Sequence, residues 1–408
     1  MSANFLVGLD VGSQNIKAVV AEAKKDGSLS LIKAIRLPAG GVRKGLIDDT
    51  ADAIRSLSQA LAEIRKNYKN AVKNIYLGVG SQDIKVQSSR GIVAVSRADY
   101  EIHQDDVDRV IEASQAVNLP PNRMVLHALT QEYIVDTVGD IRDPIGMIGN
   151  RLEVNSLIVD AFAPSVKNIS RCIEMAGGGV VGLVFSPIAA ARAVLSKSQR
   201  ELGVVLIDIG FGKTGMSIYE ENKLVHAAVF PIGSGNVTND LAIGMKSSVA
   251  VAEMVKFSFG AALAKDVPSR EMIDLRKIDP VARGAVARRF IAEIIEVRLA
   301  EIMELVENEL KRFNKSRKLP AGAVLVGGGS KIPGIVELAK QELHLAAQIG
   351  VPDISAVDVA SPEVHNQIED PEYACSVGLL QAGGYRDQGK ASRVGNGFLR
   401  NLFKYFIP

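Results

Sequence analysis

The chain of 408 residues has no tryptophan, two cysteines, five histidines and only 5% aromatic residues. Each scarcity removes a class of function. Cys172 and Cys375 cannot build a disulfide framework and lack the C-x-x-C spacing of zinc or redox motifs, so they fit a reducing cytoplasm as small buried hydrophobes. His103, His127, His226, His344 and His365 have no ligand spacing and read as packing or surface residues. Metal-ligand and Ser-His-Asp chemistry therefore have no support. Long hydrophobic runs are missing too: the longest mostly apolar stretch, VVGLVFSPIAAARAVL, carries Pro187 and Arg192 and is too short to span a bilayer. The start, MSANFLVGLD, has no charged region followed by an apolar core, so no secretory signal is expected. Neither sign of charge dominates, the net being +2. The one basic cluster in the body, Lys311, Arg312, Lys315, Arg317 and Lys318, closes a long helical pattern, where cations suit the dipole, and reads as a solvated helix end rather than a nucleic-acid surface.

What is present is an ordinary globular composition, 47% apolar and 23% charged, on a chain long enough for two or more domains. FLVGLDVGSQNIKAVVAE near the start is echoed about two hundred residues later by GVVLIDIGFGKTGMSIYE. Each copy is an apolar strand, an Asp, a glycine-containing turn and a second β-branched strand. One such hairpin is usually only a turn, whereas two matching copies suit a nucleotide phosphate. Glycines let backbone N–H groups approach the anion, and Asp10 and Asp208, facing one another across a cleft, can hold the water shell of Mg²⁺. A third element, AVLVGGGSKIPGI, joins a strand to Gly327, Gly328, Gly329 and Ser330 before a helix expected near Pro333, a place for a flat ligand beside a helix N-terminus. Between them, Glu253 and Lys256 lie three apart on one helical face and could be no more than a solvated ion pair. From Arg283 to Phe313 the apolar spacing predicts a core-packed helix. Competing motifs fail when spelled out. A P-loop ending in Gly212-Lys213-Thr214 needs glycine where Ile207 stands, and GSGNVT has Thr238 at the third glycine of a dinucleotide fingerprint.

The last residues carry their own signal. From Tyr385 to Pro408 there are five basic residues and one acid, leaving 43 basic and 45 acidic residues in the other 384. On a helix, Phe398, Leu399, Leu402, Phe403, Phe406 and Ile407 share one half of the cylinder, and Arg400, Asn401, Lys404 and Tyr405 the other. A cationic, aromatic-rich amphipathic segment behind the Gly-rich polar tether GGYRDQGKASRVGNG suits an anionic membrane interface better than a docked terminal helix. Each apolar side chain is worth at most ~1.5–3 kcal/mol and each nearby cation about 1 kcal/mol, against the entropy of ordering. One tail is then expected to bind reversibly, and firm attachment to need several tails on one assembly.

Two Asp-x-Gly hairpins with a late Gly-Gly-Gly loop resemble the superfamily of actin, sugar kinases and DnaK-type chaperones. In detail the chain resembles the bacterial cell-division family FtsA over nearly its whole length. The stretches that carry the likeness are LDVGSQNIKAVV, GGVRKGLIDD, VLHALTQEYIVDTVGDIRDPIGMIG, RELGVVLIDIG, GSGNVTNDLA, AEMVKFSFGAA, VGGGSKIPGI, YACSVGLL and the tail. Gln131 to Tyr133 separates it from actin. The resemblance implies an α/β, actin-like duplicated fold: two RNase H-like domains around an ATP cleft, an FtsA-type inserted subdomain and a C-terminal amphipathic helix. Its divisions would be residues 1–83 and 160–200 for the first domain, 84–159 for the insert and 201–364 for the second domain with its small subdomain. Residues 365–384 would form a closing helix, 385–394 a flexible linker and 395–408 the membrane-targeting helix.

By the same resemblance Asp10, Gly12 and Ser13, with Gln14, Asn15 and Lys17, match the first phosphate loop. Asp208, Gly210 and Gly212, with Phe211, Lys213 and Gly233, match the second. Glu253 and Lys256 fit ribose and adenine contacts, with Gly328, Gly329 and Ser330 flanking the adenine. ATP and Mg²⁺ are the implied cofactors. The implied partners are the C-terminal peptide of the tubulin-like protein FtsZ, further copies of the chain, anionic inner-membrane lipids and other divisome proteins. The implied place is the cytoplasmic face of the membrane at the septum. Where the family pattern runs close to D-I-G-G-G-T-x-D, this chain has Phe211, Lys213 and Gly215, and Asn15 stands where a lysine is common, with Lys17 two places on. These departures leave ATP binding expected but hydrolysis weak or absent, and they suggest that Lys213 neutralises a terminal phosphate. Two rivals remain open: a PilM-like adaptor of a type IV pilus machine, which needs no amphipathic tail, and a small-molecule kinase, for which no catalytic carboxylate is identifiable.

Overall fold

The computed structural model describes residues 4–24, 26–116, 119–280, 284–355 and 357–384. Two sheets repeat one plan. The first has six strands in the order Val180–Phe185, Ile75–Val79, Asn4–Val11, Asn15–Ala23, Leu29–Pro38 and Asp358–Val359. The second has five, in the order Lys223–Phe230, Thr214–Glu220, Val204–Ile209, Ala323–Val326 and Ala347–Ile349. In both, the first strand pairs antiparallel with the next in a meander of three and parallel with a later strand on its other side. A parallel neighbour needs a crossover. The helix Thr50–Arg65 lies in the first crossover, and the helices Ser234–Met245, Val249–Phe259 and Arg288–Arg312 in the second.

The helices bury the faces that their spacing predicts. Thr50–Arg65 starts behind Asp49, whose side chain accepts from the amide of Asp52 at 3.0 Å, and turns Leu57, Leu61 and Ile64 onto the first sheet. Along Arg288–Arg312, Ile291, Ile295, Leu299, Ile302, Val306 and Leu310 form one fully buried seam against the second sheet. This helix begins at Arg288, later than the apolar spacing predicts. Ala285–Ala287 pairs instead as a short strand with Met272–Asp274, and Gly284 before it sits at φ +91°.

An inserted four-stranded sheet runs in the order Lys85–Ala94, Arg151–Phe162, Arg123–Val135 and Val138–Ile141, with the helix Gln104–Gln115 packed on it. Its strand Arg151–Phe162 continues past residue 159, because Ala161 still pairs with Met124 and Phe162 with Arg123 before the helix Ala163–Met175 begins. Tyr133 is buried in the insert, while Gln131 donates through Nε2 to the Leu224 carbonyl at 3.2 Å, a contact with the second half. The chain returns to the first sheet at Asp358–Val359, ahead of residue 364, by pairing with Ser30 and Leu31. Residues 365–384 then hold more than one helix: the end of Pro362–Ile368, a turn at Pro371–Tyr373, and Ala374–Gly384. No helix among the described residues is long and apolar enough to cross a membrane. The expected linker 385–394 and amphipathic segment 395–408 lie outside the described residues.

Candidate functional site

The duplicated hairpins point their turns at one another. Asp10 lies one residue before the end of the first strand, opposite Lys17, and Asp208 holds the same place in its counterpart, opposite Gly215. Gly12 donates its amide to the Asn15 carbonyl at 3.1 Å, and Gly210 does the same to Lys213 at 2.9 Å. The turns nearly touch: a Cβ on Gly212 would lie 2.6 Å from Ser13 Oγ. Between them opens a cleft of about 580 Å³, within the range of small-molecule sites.

Its charged floor is built around Lys17. The Lys17 ammonium lies 3.0 Å from Asp10 Oδ2 and donates to the Glu372 carbonyl at 3.0 Å. Burial opposes its charge, but Asp10 and Asp208 outweigh burial and hold it above the ordinary lysine value. Burial likewise pushes the Asp208 carboxyl up, against the pull of Lys17. Gly327, at φ +83°, passes so close that a Cβ there would sit 2.3 Å from Asp208 Oδ1, so the first residue of the Gly-Gly-Gly turn can only be glycine. Glu372 is buried between Arg36 at 3.3 Å and Lys331 at 3.2 Å.

Glu253 and Lys256 form a partly buried knot rather than a solvated pair. Lys256 Nζ lies 2.7 Å from Glu253 Oε2 and donates to Thr238 Oγ1 at 2.8 Å and to the Ser234 carbonyl at 3.2 Å, 5.4 Å from the centre of the Phe211 ring. Burial pulls the lysine down against the attraction of Glu253. Glu253 also pays desolvation, but hydrogen bonds from Lys256 and Thr238 hold its carboxyl below the usual range. Its other oxygen accepts from Gln14 Nε2 at 3.0 Å, joining the two halves over the cleft. Met254 and Phe257 stand exposed at the rim, with Ile332 and Pro333 nearby in the wall.

Of the residues expected at a nucleotide site, Asp10, Gly12, Ser13, Gln14, Asn15, Lys17, Asp208, Gly210, Phe211, Gly212, Lys213, Glu253, Lys256, Gly327 and Gly328 line this cleft. Gly233, Gly329 and Ser330 stand behind its wall. Gly233 caps the helix Ser234–Met245, Gly329 packs on Ile209, and Ser330 Oγ donates to the Gly327 carbonyl at 2.7 Å. Arg36, Gly80, Ser186, Lys331 and Glu372 also line it and went unread. Glu372 directly precedes the quoted stretch YACSVGLL, the one available signal. Phe398, Leu399, Arg400, Leu402, Phe403, Lys404, Phe406 and Ile407 lie outside the described residues. A second cavity, about 640 Å³, separates the insert from the first half and is walled by Leu126, Leu129 and Leu183. Its lining includes none of the residues of the two Asp hairpins or of the Gly-Gly-Gly turn.

Two matching sheets around a cleft, each contributing an Asp-ended hairpin, define the actin-like ATPase fold. Solved structures agree: the PilM-PilN type IV pilus biogenesis complex matches with a TM-score of 0.66 at 17% identity, covering 93% of this chain and 98% of that one. MreB5 of Spiroplasma citri bound to ADP matches at 0.54 and 14%, covering 93% and 95%. Sequence narrows the class. The family model described as Cell division protein FtsA matches residues 205–378, and that of the SHS2 domain inserted in FtsA matches residues 81–160. The chain is 34% identical over 382 residues to Cell division protein FtsA of Pseudomonas aeruginosa, covering 94% of this chain and 90% of that protein. The chain belongs to the FtsA family of cell-division proteins.

Proposed function

We propose that this chain binds ATP with Mg²⁺ in the interdomain cleft, polymerises, and tethers the FtsZ ring to the cytoplasmic face of the membrane through its C-terminal amphipathic segment, helping to assemble the divisome. The observation that carries the reading is the cleft itself, which presents the two Asp hairpins and the Gly327 turn around one space of about 580 Å³ in a chain of the FtsA family.

The residues present fit the nucleotide. Ser13 and the two glycine turns line the cleft and would supply donors to phosphate oxygens. Asp10 and Asp208 offer hard oxygens for the water shell of Mg²⁺, an ion that neutralises phosphate charge when bound. Gly328 leaves open backbone beside the base, which Met254, Phe257 and Pro333 would cover with apolar surface. Lys256, already saturated by Thr238, Ser234 and Glu253, acts chiefly by orienting Glu253 toward the ribose. Gly215 faces Asp208 where the family pattern carries a carboxylate, and turnover is accordingly weak or absent. The chain then works as an ATP-loaded adaptor. Its tail binds lipid reversibly and polymerisation multiplies the tails. Family membership favours this over a pilus adaptor, and no carboxylate in the cleft stands out as a kinase base.

The test is recruitment of labelled full-length FtsZ to anionic vesicles by the full chain with Mg-ATP. FtsZ should concentrate on vesicles only when the chain is present, and should stay in solution when FtsZ lacks its C-terminal peptide. Equal vesicle signal with and without the chain refutes the tether.

A further inference from the structure

The register of the two hairpins shows that a cation has changed sides. Asp10 and Asp208 are equivalent, as are Gly12 and Gly210, so Asn15 is equivalent to Lys213 and Lys17 to Gly215. Each hairpin therefore carries one lysine, at a different place. Lys17 is held by Asp10 and the Glu372 carbonyl. Lys213 forms no ion pair among the described residues. Its ammonium reaches across to the first half and donates to the Gly80 carbonyl.

The surroundings of that contact are built to admit it. A Cβ on Gly80 would lie 2.8 Å from Lys213 Nζ, and one on Gly45 would lie 2.4 Å from the Gly80 oxygen and 3.2 Å from the ammonium. Gly45 and Lys44, at φ +79° and +53°, make the two-residue turn between Val42–Arg43 and Leu46–Ile47. The Lys44 amide donates to Ser13 Oγ at 2.9 Å, in the first phosphate loop. The GGVRKGLIDD stretch thus backs onto both loops. Lys213, Gly80 and the buried Ser186 line the cleft away from its exposed rim at Met254 and Phe257. A nucleotide with its base at the rim would extend its phosphates toward Lys213.

An ammonium on a neutral carbonyl is in the weaker of two arrangements, because an anionic oxygen in the carbonyl's place adds Coulomb attraction to the hydrogen bond. We propose that Lys213 determines specificity for nucleoside triphosphates over diphosphates, exchanging the Gly80 carbonyl for an oxygen of the terminal phosphate and so unpinning the second half from Gly80 and the Lys44–Gly45 turn. The assignment rests on the nucleotide reading of the cleft.

Calorimetric titration of the full chain with Mg-ATP and Mg-ADP tests it, using the wild type, Lys213→Gln and Lys213→Arg. Glutamine keeps a donor for the Gly80 carbonyl without the charge, and an unchanged melting curve without nucleotide verifies that the resting contact survives. Lys213→Gln should weaken ATP about ten- to a hundredfold while ADP moves less than about twofold, and Lys213→Arg should keep the ATP preference. Equal weakening of both nucleotides, or an ATP-to-ADP ratio indifferent to residue 213, overturns the assignment while leaving the site intact. Failure of the wild type to bind either nucleotide refutes the cleft reading and this assignment with it.

Discussion

Replacing Lys17 by methionine removes the one ammonium that stands between two carboxylates of the cleft floor. Asp10 lies 3.0 Å from it, the two side chains being 14% and 17% exposed, and the half-buried Asp208 also feels its field. Deleting one partner of a buried pair costs about 3–5 kcal/mol, and the residual solvent access here brings that to roughly 2–3 kcal/mol near neutral pH. The pH dependence gives the sign. Asp208 is already raised in the folded state, so its protonated form is favoured there, and the stability it contributes is present at low pH and lost as pH rises through its folded value. Without Lys17 that value climbs further, each added unit restoring about 1.4 kcal/mol on acidification. Urea midpoints of wild type and Lys17→Met should therefore differ more at neutral pH than in acid. A deficit that is the same at both pH values, or no deficit, would show that Lys17 is not the counter-ion of this floor.

Other substitutions probe separate parts of the account. Gly327→Ala forces a Cβ onto Asp208 Oδ1 at φ +83°, and should cost about 1–3 kcal/mol in urea unfolding and abolish tight Mg-ATP binding in the same preparation. Leu299→Ala, in the buried seam of Arg288–Arg312, should cost about 2–5 kcal/mol with no change in the ATP-to-ADP affinity ratio of the folded protein. Glu253→Ala leaves the Lys256 ammonium, 8% exposed, without its carboxylate and removes the bridge from Gln14. It should lower the melting temperature and weaken Mg-ATP binding together, whereas Gln14→Ala should weaken binding with little loss of stability.

The parts of the site that could be read from the sequence are those that carry a local signature. An apolar strand, an Asp and a glycine turn are a local pattern, so Asp10 and Asp208 stand out together with their repetition, while the duplicated sheets around them follow from the family resemblance. Arg36, Lys331 and Glu372 carry no such signature. They reach the cleft floor from separate segments, and only folding brings them beside Lys17. The Glu253–Lys256 spacing was visible, but not that Thr238 and Ser234 would bury the lysine. The long helix was read too long at its start because Ala285 and Val286 continue its apolar spacing, yet they pair with Asp274 and Ile273. Lys213 was legible as a departure from the family pattern, while its acceptor at Gly80, 133 positions away, was not.

Co-sedimentation with anionic liposomes tests the central claim most directly, comparing the full chain with one ending at Ser392, each with and without Mg-ATP. A nucleotide-dependent membrane tether predicts that only the full chain pellets with lipid, and more of it with ATP. If both forms remain in the supernatant, or both pellet equally, the residues after Ser392 are not the anchor.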